Sequence, residues 1–66
     1  MDIRLYYYDG SGVLKKVYPK WHRYNSIQAC LNNIDIIRNI TQIPFNRQYV
    51  IVEYASKYES KIIQVI

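Results

Sequence analysis

The sequence predicts an α+β fold in which a small antiparallel β-sheet of two hairpins has one helix packed across it, in the order ββαββ. Three observations support this prediction. Residues 26–40 repeat apolar side chains at helical spacing, the stretches on both sides are rich in β-branched and aromatic residues, and turn-forming residues separate those stretches. The 66 residues contain no repeat and no linker, so we expect a single domain over residues 1–66.

Residues 3–18 have the pattern of a β-hairpin around the turn sequence Asp-Gly-Ser-Gly. A two-residue loop at Gly10 and Ser11, with glycine first as in a type II′ turn, would pair Tyr8 with Val13. This register places one set of side chains on a face that we interpret as core: Ile3, Leu5, Tyr7, Leu14, Lys16 and Tyr18. The opposite face would then carry Arg4, Tyr6, Tyr8, Val13, Lys15 and Val17.

The helix is predicted over residues 26–40, after a polar and aromatic connection at residues 19–24. Asn25 is the expected N-cap, with Gln28 completing a capping box, and Pro44 disfavours helical geometry at the residue before it. One apolar stripe faces the predicted core: Ile27, Cys30, Leu31, Ile34 and Ile37.

A second apolar stripe on this helix, formed by Ala29, Ile36 and Ile40, does not fit on the same face. It could be a homodimer contact, a groove for a foreign partner, or the cover for a folded-back loop at residues 43–45. We favour self-association as a homodimer. A fold of this size is usually stabilised further by disulfide bonds or a bound metal ion, and one cysteine with no cluster of metal ligands provides neither.

Residues 49–66 predict a second hairpin. Residues 49–55 are almost continuously apolar, which indicates a strand with both faces at least partly covered. Residues 61–66 form the last predicted strand, and its composition indicates that it is paired within the sheet or across a dimer.

The composition limits the classes of function. No run of about 18 apolar residues occurs and the first residues do not have the pattern of a signal peptide, so we expect a cytoplasmic protein that does not span a membrane. Eleven Ile and eight Tyr against two Ala indicate an A/T-rich genome, as in phages and mobile elements of low-GC bacteria. The net charge of +4 is enough to favour attraction to phosphate, but it is far short of that of a charged tail.

The residue inventory argues against catalysis and against a bound metal or cofactor. His22 is the only histidine, and Cys30, the only cysteine, belongs to the core stripe of the helix. The five acidic residues show no pairing pattern, and both glycines belong to the hairpin turn. We therefore expect a protein that is not an enzyme.

A binding surface is the functional feature that the sequence does predict. Residues 13–24 interleave cations with aromatic rings and contain no acidic residue, and the outer face of the first hairpin extends this pattern. The candidate partner-binding residues are Arg4, Tyr6, Tyr8, Lys15, Lys16, Lys20, Trp21, Arg23 and Tyr24. We interpret the protein as a non-enzymatic binder that modulates a host protein or nucleoprotein; the alternatives are direct binding of nucleic acid and a simple solvated face.

The hairpin, basic connection and helix of residues 3–37 distantly resemble the arm-type DNA-binding domains of phage integrases, which place a small sheet against DNA. Those domains have a third strand before the helix, for which we find no pattern here, and no counterpart of the hairpin at residues 49–66. The resemblance covers about half of the chain through an unspecific pattern, so we assign no family.

Overall fold

The fold is an antiparallel sheet of five strands with one helix, which confirms the predicted α+β class. The structure is a computed structural model that describes residues 2–40, 43–44 and 46–66. The elements are β1 (Asp2–Tyr8), β2 (Leu14–Lys16), a 3₁₀ turn (Pro19–Trp21), β3 (Arg23–Tyr24), α1 (Ile27–Ile40), β4 (Tyr49–Ser56) and β5 (Glu59–Val65). The short strand β3 lies before the helix and pairs with β1, so the expectation that the chain lacks a third strand there is wrong.

The strand order is β2-β1-β4-β5, and β3 pairs with the other end of β1. All pairs are antiparallel, and representative partners are Tyr6 with Lys16, Arg4 with Arg23 and Arg4 with Val52. The pairing of β1 with β4 therefore joins the two predicted hairpins into one sheet. Strands β2 and β3 share one edge of this sheet and β5 forms the other.

The loop of the first hairpin has three residues, so the predicted two-residue loop is wrong. The Asp9 amide donates to the Val13 carbonyl oxygen at 2.9 Å, the Gly12 amide donates to the Asp9 carbonyl oxygen at 3.1 Å, and Gly12 has a φ of +84°. A turn followed by a glycine in the left-handed region is the usual three-residue solution. The Asp9 carboxylate fixes the loop by accepting bonds from Ser11 and Val13, which lowers its pKa to about 2.

The extra residue changes the register of β2 by one and exchanges its two faces. Tyr8 pairs with Leu14 instead of Val13. Lys16 and Leu14 therefore lie on the face predicted for Lys15 and Val17, while Val17 is buried in the core cluster. Tyr18, also predicted as core, is exposed.

The helix begins one residue later than predicted and packs with the predicted stripe. The Ser26 hydroxyl, not Asn25, caps it by accepting a bond from the Ala29 amide at 3.1 Å, and Gln28 donates to Asn32 instead of closing a capping box. The core cluster joins this stripe to the sheet and to Val17: Ile3, Leu5, Val17, Cys30, Ile34, Ile37, Tyr49 and Ile51 are buried, and Ile27 and Leu31 pack against them.

Strand β4 is central and β5 completes the sheet. Val50 and Val52 are as well buried as Ile51, which agrees with the prediction that both faces of this strand are covered. Tyr49 and Ile66 exchange backbone hydrogen bonds of 3.0 and 2.8 Å, so the end of the chain is paired inside the sheet. The register shifts between Ile51 and Val52, and this bulge changes the facing of β5.

Candidate interaction surface

The side of the sheet that faces away from α1 is here called the outer face, and no helix or further strand of residues 2–40, 43–44 and 46–66 lies over it. The cross-strand partners show which side chains share this face. They are Asp2, Arg4, Tyr6, Tyr8, Leu14, Lys16, Arg23, Val50, Val52, Tyr54, Ser60, Ile62 and Val65.

The outer face changes in character from one edge of the sheet to the other. One row across the strands contains Lys16, Tyr6, Val50 and Val65, and the next contains Arg23, Arg4, Val52 and Ile62. Cations thus occupy the edge formed by β2 and β3, and aliphatic side chains occupy the β5 edge. Tyrosines and an arginine lie between them.

The centre of the outer face is held by direct side-chain contacts. The Tyr6 and Tyr54 hydroxyls are 2.7 Å apart, and the Arg4 guanidinium carbon lies 4.0 Å from the centroid of the Tyr54 ring. Arg4 also binds Asp2 with a shortest distance of 3.0 Å, which holds the pKa of that carboxyl below its usual value. Burial, followed by the bond to Tyr54, raises the pKa of Tyr6. Contacts within the chain therefore hold the side chains of this cluster in fixed positions.

The cations at the β2 and β3 edge, unlike Arg4, are not held by an ion pair with a described residue. Lys16 and Arg23 are exposed and make no ion pair with any described residue. Lys15, on the other side of β2, lies 3.6 Å from Asp9, and Lys61 lies 3.7 Å from Glu53. The two unpaired charges thus share one edge of the outer face.

The β5 edge of the outer face exposes apolar surface. Ile62 is 52% exposed and Val65 is 46% exposed. Their cross-strand partners on β4 are Val50 and Val52, which are fully or almost fully buried although they do not belong to the core cluster. Exposed aliphatic groups beside a fixed aromatic cluster are typical of a surface that binds a partner.

His22 lies between β2 and β3 and is hydrogen-bonded to Leu5 of β1. Its carbonyl oxygen accepts a bond from the Leu5 amide at 2.8 Å, and its Nδ1 lies 2.7 Å from the Leu5 carbonyl oxygen. Because a carbonyl oxygen only accepts, Nδ1 must donate, and Nε2 is buried without a partner among the described residues. The ring meets Tyr6 edge-on at 5.0 Å. Burial lowers the pKa of His22, so the geometry is that of a neutral structural imidazole.

The structure brings together five of the nine predicted binding residues. Arg4, Tyr6, Tyr8, Lys16 and Arg23 share the outer face. The other four lie elsewhere: Lys15 is on the opposite side of β2, Lys20 stacks over Trp21 with its Nζ 5.1 Å from the ring centroid, and Trp21 and Tyr24 pack against the core.

Tyr24 belongs to the core side of the sheet. Its hydroxyl is buried with no hydrogen-bond partner among the described residues, and burial together with nearby Cys30 raises its pKa to about 12. Tyr24 pairs with Ile3 across the two strands. Its ring is thus covered by the fold, and a partner on the outer face would not reach it.

Sequence reasoning missed the contribution of the second hairpin to the outer face. Tyr54 follows Val50 and Val52 at every second position of β4. Strand alternation alone therefore predicts that it lies on the same side of the sheet as they do. Ile62 and Val65 could not, because they are three residues apart and simple alternation puts them on opposite faces. The bulge brings them to the same one.

The second helix stripe remains uncovered by the described residues. Ile36 is 46% exposed and Ile40 is 58% exposed, while Ala29 is half-buried. Of the loop predicted to cover it, Ile43 packs against the core cluster and Pro44 is exposed, while residue 45 lies outside the described residues.

The groups that could carry other chemistry occupy structural positions. Cys30 is fully buried, and burial raises the pKa of its thiol to about 11. Among residues 2–40, 43–44 and 46–66, no three His, Cys, Asp or Glu side chains are arranged to hold a metal ion. The same part of the chain contains no helix long and apolar enough to cross a membrane. No family model, curated protein or solved structure matches this chain.

Proposed function

We propose that this chain is a small non-enzymatic binding protein of phage or mobile-element type that attaches to a host protein or nucleoprotein through its outer face and modulates it. The carrying observation is that half-exposed Ile62 and Val65 share an uncovered sheet face with the fixed Arg4, Tyr6 and Tyr54 cluster. Tyrosine and arginine in fixed positions beside apolar surface are the groups that contribute most to protein interfaces.

The same geometry favours a protein surface over a strand of nucleic acid. Base stacking needs a free ring face, but the Arg4 guanidinium lies over the Tyr54 ring, 4.0 Å from its centroid. Ile62 and Val65 offer no group that interacts with phosphate. If an apolar partner surface covered them, the complex would be stabilised by about 25 cal/mol per Å² of apolar area removed from water.

Capture of partners from a lysate of a bacterium with an A/T-rich genome tests this proposal. Val65→Glu places a charge on the exposed apolar edge, and we expect the partner captured by the wild-type chain to be lost. Tyr58→Glu is the matched control, since Tyr58 is 86% exposed and belongs to the turn between β4 and β5. Circular dichroism verifies that both variants fold. A partner that Val65→Glu retains would contradict the proposal.

Direct nucleic-acid binding is the second candidate, and the unpaired charges of Lys16 and Arg23 are the observation that favours it. Each phosphate contact adds about one unit to the slope of log affinity against log salt concentration. If this candidate holds, binding of a generic oligonucleotide weakens steeply with salt, and the double replacement Lys16→Ala with Arg23→Ala flattens the slope by about two. Undetectable binding, or binding that does not depend on salt, would rule out nucleic acid as the ligand.

We also propose that two copies associate through the second helix stripe, supported by the exposure of Ile36 and Ile40. Light scattering should then give about twice the chain mass of 8.0 kDa for the wild type and the single-chain mass for Ile36→Glu. Gln28→Glu makes the same charge change at an exposed position on the polar side of α1, away from the second stripe, and should leave the dimer intact. A wild-type mass of one chain would contradict the homodimer.

A further inference from the structure

The charges on the outer face do not balance. Three cations, Arg4, Lys16 and Arg23, share this face with Asp2, and both Asp2 carboxylate oxygens already accept bonds from Arg4 at 3.0 and 3.3 Å. Neither Lys16 nor Arg23 forms an ion pair with a described carboxylate, although Arg23 is close enough to Asp2 to contribute to the lowered pKa of that carboxyl. A cation buried in an interface without a counter-charge is strongly unfavourable, so a partner that covers this edge must bring carboxylates or phosphates.

The position of the apolar edge specifies the rest of the partner. Ile62 and Val65 lie on β5, three strand spacings from β2 in the order β2-β1-β4-β5. At about 4.8 Å per spacing, the cationic and apolar edges are roughly 14 Å apart. A helix laid across the strands covers this distance in about ten residues, because each residue advances the helix by about 1.5 Å.

We infer that the outer face recognises an acidic amphipathic segment of a partner protein, with carboxylates beside Lys16 and Arg23 and apolar side chains against Ile62 and Val65. This inference rests on the proposed function and adds the chemistry and direction of the bound segment. The Arg4, Tyr6 and Tyr54 cluster lies under the middle of the segment, where its hydroxyls and guanidinium contact polar groups.

A second copy of the chain does not satisfy these requirements. A two-fold contact between outer faces would bring in another Lys16 and Arg23, while the one acidic residue that the described strands place on the second copy's face is an Asp2 already bound to Arg4. Nucleic acid would neutralise both cations but would leave Ile62 and Val65 against a charged backbone. An acidic and apolar protein segment meets both edges at once.

Selection of a yeast-displayed library of random 14-residue peptides on the immobilised full-length protein tests the inference. We expect the enriched peptides to group two or more Asp or Glu residues at one end and apolar residues at the other. Arg23→Glu and Val65→Glu should each weaken their binding at least about tenfold. Lys57→Glu, the same charge reversal in the turn between β4 and β5, should leave the affinity unchanged.

The outcomes separate the inference from the proposed function. Enriched peptides that lose affinity with Val65→Glu but are neutral or basic would overturn the acidic segment and leave the outer face as a protein-binding surface. Peptides indifferent to both Val65→Glu and Arg23→Glu, or the absence of any peptide that depends on Val65, would count against the proposed function itself. Replacing the peptide carboxylates by lysine should restore binding to Arg23→Glu, and failure of this exchange would also overturn the inference.

Discussion

The two faces of the sheet use alternate residues of the same strands, but their side chains are buried in different ways. On the core face, Leu5 and Ile51 are covered by the apolar stripe of α1 and become part of one cluster. On the outer face, Val50 and Val52 are fully or almost fully buried although no helix of the described residues lies over them. Their cross-strand neighbours on this face are Arg4, Tyr6, Ile62 and Val65, which belong to the same layer.

This difference separates the residues that stabilise the chain from those available for binding. Apolar contact between two layers removes surface on both sides and gives most of the stability of a small fold. Ile62 and Val65 at the edge of the outer face remain about half exposed, so they remove less surface from water. The outer face can therefore be changed at its edges with little effect on folding, and three predictions test how far this holds.

The largest expected effect is on the core face. Leu5→Ala should lower the free energy of unfolding by about 2–5 kcal/mol, because Leu5 is fully buried and the space it leaves cannot be refilled. Ile62→Ala on the outer face should lower it by about 0.5 kcal/mol. Urea denaturation at a fixed protein concentration compares the two variants. Equal losses would break the distinction between the faces.

An intermediate effect is expected within the outer face. Tyr6→Phe and Tyr54→Phe each remove one hydroxyl of the 2.7 Å pair, and each should lower the free energy of unfolding by about 1 kcal/mol. The double variant should lose less than the sum of the two, with a coupling of about 0.5–1 kcal/mol. Strictly additive losses would show that the hydroxyls do not stabilise each other in solution.

The smallest expected effect concerns His22, which joins the two faces through Leu5 and Tyr6. Burial lowers its pKa below the ordinary 6.5, and Lys16, Arg4 and Arg23 oppose protonation further, while the Leu5 carbonyl favours it. The unfolded chain therefore binds the proton more readily. Stability should be complete above about pH 6.5 and decline as the pH falls towards the folded pKa.

His22→Asn provides the control for this pH dependence. The asparagine amide can still donate to the Leu5 carbonyl, but it does not titrate. Urea denaturation at pH 7 and pH 5 should show a decline for the wild type and a nearly constant midpoint for the variant. If the variant declines as much as the wild type, other groups cause the effect.

The first hairpin shows where reading the sequence stops being sufficient. The alternation of β1 predicted that Ile3 and Leu5 are core and that Arg4 and Tyr6 face away, and the structure confirms it. The facing of β2 was wrong because Asp-Gly-Ser-Gly can close a loop of two or three residues. Hydrogen bonds to the Asp9 carboxylate and the positive φ of Gly12 select the longer loop.

The candidate surface was predictable in part for the same reason. Its arginine and tyrosines on β1 follow from alternation, whereas Trp21 and Tyr24 resembled exposed aromatic residues in the sequence and pack against the core in the structure. Their position follows from β3, whose two residues are too few to produce a strand pattern and form only because β1 offers an unpaired edge.

The sequence by itself determined the α+β class, the position of the helix and the stripe that it buries, because periodic apolar side chains are a local property of the chain. Only the tertiary structure decided which strands are neighbours, how β2 is turned and how a bulge brings Ile62 and Val65 to the outer face. Pairing between distant strands and single-residue register shifts depend on the combined packing of β1, β4 and α1. No local pattern contains that information.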